Sequence, residues 1–142
     1  MGQYHVVVNL DKKQFIHPHQ LGDGLKLMEF ANSAGGVMTG LAILLAVSNG
    51  RGGGDLQSES EMIGSWGGDR IAIVGDYAED KDLPAEFEAS KIWERCHGAD
   101  YGIEPQYRDI TADVRRLIEA DGIYSFGTGD GWITRTSRFN KS

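Results

Sequence analysis

The chain has 142 residues, 40% of them apolar, and a formal net charge of −7, which suits one domain with one sizeable core rather than several domains or a disordered polymer. The acidic balance, with lysine and arginine scattered, argues against direct nucleic-acid binding, which depends on clustered positive charge. A single cysteine, Cys96, excludes an intrachain disulfide and fits a reducing, cytoplasmic compartment.

No basic segment followed by an apolar run opens the sequence, so no signal peptide is expected, and Val6 departs from the myristoylation pattern. Tyr4-His5-Val6-Val7-Val8-Asn9-Leu10 is β-branched and runs into the polar turn Asp11-Lys12-Lys13. Gln14-Phe15-Ile16-His17 then reads as the second strand of an opening hairpin, ended or placed at a sheet edge by Pro18. After the turn Gly22-Asp23-Gly24, the apolar residues Leu25, Leu27, Met28 and Phe30 predict a short helix ending near Asn32, and Gly35-Gly36 breaks the chain.

Val37 to Val47 is apolar on nearly every side, which predicts the buried central helix of the fold. It spans roughly 16 Å as a helix, about half the hydrocarbon core of a bilayer, so no membrane crossing is expected. Gly36 and Gly40 share one face of it, a spacing that lets another backbone approach closely.

Asn49-Gly50-Arg51-Gly52-Gly53-Gly54-Asp55 follows. Three consecutive glycines are costly to order, so an ordered triple glycine implies close approach of a partner or positive φ; the bland alternative is a mobile surface loop. Arg51 and Asp55 frame this backbone with opposite charges that suit a small polar or anionic partner. The offsets of a P-loop or of a Rossmann glycine fingerprint are absent.

Met62-Ile63-Gly64-Ser65-Trp66 and Arg70-Ile71-Ala72-Ile73-Val74 read as two strands joined through Gly67-Gly68-Asp69. Trp66 there either caps the core or offers a stacking face to a ring-bearing ligand. Asp69 and Arg70 lie on opposite faces if extended, so each is free to meet another partner. The acidic run Asp76 to Glu88 reads as a solvated face or, alternatively, as a docking surface for a basic partner. Pro84 suits the first turn of a helix lined by Phe87, Ile92 and Trp93 and stopping near Gly98. Asp109, Ile110 and Thr111 precede the clearest helix, with Val114, Leu117 and Ile118 on one stripe and Gly122 at its end. Ile123-Tyr124-Ser125-Phe126 and Trp132-Ile133-Thr134-Arg135 read as a final hairpin.

Paired strands with helices between them predict a single α+β domain over 1–142, with a largely antiparallel sheet, a central buried helix, two to three further helices and a frayed tail at 136–142. His17-Pro18-His19 places two imidazoles on one side of an extended segment, where they can share a metal ion if a carboxylate such as Asp23, Asp55, Asp69 or Asp76 converges with them. Cys96 and His97 are neighbours, and adjacent helical side chains diverge, so Cys96 reads as structural rather than as a nucleophile beside its base.

The segments Met1-Gly2-Gln3-Tyr4, Ile16-His17-Pro18-His19, Asn49 to Leu56 and Gly64-Ser65-Trp66-Gly67-Gly68-Asp69-Arg70 resemble a family of small uncharacterised bacterial and phage proteins, across roughly the first 80 residues. That resemblance implies no catalytic residues or cofactor and favours a prokaryotic or viral cytosolic setting. The leading expectation is a binding module for an anionic or nucleotide-like ligand, or a polar partner segment. In it Arg51 pairs with the anion, Gly52, Gly53 and Gly54 present backbone donors, Asp55 accepts from hydroxyls, Trp66 stacks, and Asp69 and Arg70 complete the site. The alternatives are a metal-dependent hydrolase centred on His17 and His19, and an acidic interaction protein such as a phage inhibitor; a homodimer remains open.

Overall fold

The computed structural model describes residues 2–120. The glycine stop at Gly122, the closing hairpin and the tail expected at 136–142 lie outside them.

The opening hairpin forms from β1 (His5–Asn9) and β2 (Gln14–Ile16), with Val7 opposite Ile16 and Asn9 opposite Gln14. β3 (Ile71–Gly75) runs antiparallel along the other side of β1, and a two-residue strand, β4 (Arg108–Asp109), pairs parallel with β2. The order across the sheet is β3-β1-β2-β4. Three helices complete the described part, α1 (Val37–Leu45), α2 (Ile92–Cys96) and α3 (Thr111–Ala120). The fold is α+β, as the alternation of strands and helices predicts.

Successive strand residues point to opposite faces, which divides the core into two. Val7 and Ile16 pack on one face with Val37, Ile43 and Leu44 of α1, with Trp66, and with Val114, Leu117 and Ile118 of α3. Val6, Val8 and Phe15 pack on the other with Ile92, Cys96 and Tyr107.

α1 is half exposed rather than enclosed. Val37, Gly40, Ile43 and Leu44 are buried, whereas Met38 and Leu45 are exposed, because among the described residues the helix is covered on the side that meets the sheet, α3 and Trp66. At Gly40 the close neighbour is a side chain and not another backbone: an added Cβ would stand 3.2 Å from Cγ1 of Val114. Gly36 instead faces the buried carboxylate of Asp23, which accepts the N–H of Val37 at 2.8 Å and that of Ser33 at 2.9 Å. That carboxylate satisfies an open amide at the helix start.

Several expected elements take another form. Met62 to Trp66 is a chain of turns, not a strand, and the hairpin expected with Ile71 to Val74 is absent because β3 pairs with β1. The amides of Gly64 and Trp66 donate instead to the carbonyls of Ile43 and Leu44, both at 2.9 Å, closing the C-terminal end of α1. The helix expected over Leu25 to Asn32 reduces to a 3₁₀ turn at Leu27–Glu29. The helix expected after Pro84 is split into 3₁₀ turns at Ala85–Phe87 and Ala89–Lys91, with Glu88 in the left-handed region at φ 48° between them. Among the described residues no helix is long and apolar enough to cross a membrane.

Candidate functional site

In the glycine loop, the carboxylate of Asp55 accepts the N–H groups of Gly50, Arg51 and Gly52 at 2.8, 2.9 and 3.0 Å. The Asn49 side chain closes the loop across Leu56, donating to its carbonyl and accepting its N–H at 2.8 Å. Successive amides turned inward make a concave anion site, and here the chain supplies the anion itself. Gly50 and Gly54 adopt φ 95° and 90°, which explains those two glycines. Nothing lies within 4 Å of a Cβ built at Gly52 or Gly53, so no neighbour crowds the side-chain position there.

The loop borders a cavity of about 730 Å³ whose walls include Asp55, Glu59, Gln57 and Ser60, and Arg51 stands outside that lining. The expected division of labour is therefore corrected in part: of the three glycines assigned as donors to a guest, Gly52 already holds Asp55, as do the amides of Gly50 and Arg51, and two acidic residues, Asp55 and Glu59, line the space.

The other members of the expected site point elsewhere. Trp66 has no exposed surface; its indole sits in the core beneath α1 and α3, and its Nε1 donates to Oε1 of Gln14 at 2.7 Å. It has no free face for stacking. Asp69 accepts from Nδ2 of Asn9 at 2.9 Å and from Nζ of Lys12, and the bond from Lys12 followed by that from Asn9 holds its carboxyl below the usual range. Arg70 clasps Asp11 through Nε at 3.0 Å and Nη2 at 2.7 Å, reaches Glu86 at 3.1 Å and lies over the ring of Phe87. Asp69 and Arg70 thus tie the turn before β3 to the loop of the β1–β2 hairpin. Neither lines the glycine-loop cavity.

His17 and His19 lie near each other, with ring centroids 5.7 Å apart. Among the described residues, however, no group of three or more His, Cys, Asp or Glu side chains converges to hold a metal. The carboxylates weighed as further ligands have other tasks: Asp23 caps α1, Asp55 holds the glycine loop, Asp69 meets Lys12, and Asp76 accepts the N–H of Tyr4. The acidic run is likewise engaged within the chain. Asp80 accepts from the Ser90 N–H and hydroxyl, Asp82 from the N–H of Glu79, and Glu88 pairs with Lys91 and Arg95.

The structure pairs His17 with a residue that its spacing does not suggest. The His97 ring meets it edge to face at 5.4 Å, and both line a cavity of about 710 Å³ with Lys12, Lys13, Arg108 and Asp109. Nδ1 of His97 lies 2.8 Å from the Trp93 carbonyl, which can only accept, so that nitrogen carries the proton. Nε2 of His97 is buried without a partner, as is Nδ1 of His17. Burial, reinforced by nearby His97 and His19, lowers the pKa of His17. Cys96 also lines this space, but burial pushes its thiol up to about 12, which leaves it protonated and unreactive, in keeping with the structural role expected of it.

Lys13 and Arg108 come together through β4, where the N–H of Arg108 donates to the carbonyl of Lys13 at 2.8 Å. Sequence reasoning treats Lys12-Lys13 as turn punctuation and passes over Arg108, because a two-residue parallel strand leaves no periodic signal. The chain matches no family model, no curated protein and no solved structure.

Proposed function

We propose that this protein is a small binding module whose site is the cavity between β2, β4 and the end of α2, and that its ligand carries an anionic group. The observation that carries this reading is that Lys12, Lys13 and Arg108 all stand among the residues lining one cavity in a chain of net charge −7. Arg108 has a distant partner in Asp113 at 3.6 Å and is largely exposed, while among the described residues Lys13 has no ion-pair partner. The volume of about 710 Å³ falls within the range of small-molecule sites. The two unpartnered imidazole nitrogens add polar groups that a guest could satisfy. A cytosolic setting agrees with the free Cys96.

The test is a titration followed by amide NMR at low salt with inorganic phosphate, acetate and a nucleoside monophosphate. Shifts concentrated at Lys12, Lys13, His17, His97 and Arg108 support the site. Shifts confined to Gly50 through Asp55 would return the function to the glycine loop, and no shift with any of the three anions would remove the anion-binding reading.

A further inference from the structure

We propose that the outer edge of β3 is a pairing surface for a second copy of this chain, the two β3 strands meeting antiparallel about a two-fold axis at Ile73. β3 ends the sheet, since its one strand neighbour among the described residues is β1. The ladder with β1 fixes which of its backbone groups are spent. The N–H of Asp76 donates to the Tyr4 carbonyl at 2.9 Å, and that of Leu10 to the Arg70 carbonyl at 2.8 Å. Backbone groups alternate in direction along a strand, so Arg70, Ala72, Val74 and Asp76 turn theirs to β1, while Ile71, Ile73 and Gly75 turn theirs outward. The Gly75 carbonyl accepts the N–H of Ala78 at 3.2 Å. The N–H and C=O groups of Ile71 and Ile73 and the N–H of Gly75 face the open edge and suit a further strand.

The two edges of the sheet are built differently. At the far edge β4 has two residues, Arg108 and Asp109, both charged and exposed, as befits an edge kept from pairing. β3 has five, Ile-Ala-Ile-Val-Gly, with neither charge nor proline. Ile73 stands opposite Val7, whose face of the sheet carries α1 and α3, yet it is 46% exposed. A strand of this kind is a template on which another strand adds.

The residues at its ends select a copy of itself as the occupant. With Ile73 opposite the partner's Ile73, the outward-turned residues meet one another: the two Ile73 residues exchange both backbone bonds, and Ile71 faces the partner's Gly75. The same register sets Arg70 against the partner's Asp76, once on each side of the axis, so the charges that flank β3 are complementary in the self-paired arrangement. Arg70 keeps 60% of its side chain exposed while it clasps Asp11, and Asp76 spends Oδ1 on the N–H of Tyr4. The interface is isologous and closes at two chains.

The experiment is sedimentation of the intact chain from about 1 to 500 µM, with amide hydrogen exchange followed at both ends of that range. Salt is held near about 150 mM, where repulsion between chains of net charge −7 is screened beyond roughly 8 Å. We expect a reversible monomer–dimer equilibrium, with the Ile71, Ile73 and Gly75 amides exchanging more slowly in the concentrated sample. Ile73→Lys sets like charges opposite each other and should weaken the dimer at least about tenfold. Should that variant fail to fold, Ile73→Thr, which keeps a β-branched strand residue, should weaken it about threefold or more. A chain that stays monomeric throughout, or a dimer unaffected by the folded Ile73 variant, overturns the proposal. Slow exchange of the three amides in the monomer, independent of concentration, places another segment of the same chain on that edge and overturns it as well.

Discussion

Burial lowers the proton affinity of the His17 ring, with neighbouring His97 and His19 acting in the same direction and Asp109 opposing them. The unfolded chain therefore takes up this proton more readily than the folded one, and acidification favours unfolding. The stability associated with His17 is fully present above its unfolded value of 6.5 and is lost as pH falls through the lower folded value. Tm should accordingly drop between about pH 7.5 and pH 5.5 in wild type, and less in His17→Gln. Parallel Tm curves for the two proteins would assign that pH dependence elsewhere. The ring was legible in the sequence as a polar group beside a strand. Its neighbour was not, because His97 reaches it only through the packing of α2 against the sheet, and the sequence places His19, not His97, beside it.

At the scale of elements, alternation and helical period served well where one face is buried. Val6, Val7 and Val8 announce a strand, and Val114, Leu117 and Ile118 announce α3. Met62 to Trp66 misleads because its apolar and aromatic residues are those of a strand, yet its amides are spent on the end of α1. That docking makes Gly64 indispensable: it adopts φ 75°, and an added Cβ would stand 2.7 Å from the carbonyl oxygen of Ala46. Gly64→Ala should destabilise the fold by roughly 2–3 kcal/mol, read as a lower urea midpoint, because strain and backbone clash coincide there. A midpoint within error of wild type would mean that the turn can leave the helix without consequence. The glycine loop teaches the same lesson from the opposite side. Its composition suggests a site for a guest anion, yet three of its amides donate to the chain's own Asp55.

In the molecule as a whole, the sheet separates two cores of unequal construction. Among the described residues, one face is covered by helices of nine and ten residues together with Trp66, the other by the five-residue α2 and short 3₁₀ turns. Cooperative units with fewer enclosing helical turns open at lower free energy. Backbone amides of α2 should therefore exchange with deuterium sooner than the central amides of α1 and α3 under native conditions, and the reverse order would show that the second core is the firmer. The cavity walled by His17, His97 and Lys13 lies where this less protected side meets the sheet. A guest lodged there would act as a clasp on the quicker half of the protein, so that occupancy is felt as slower breathing of α2 even where no atom visibly moves.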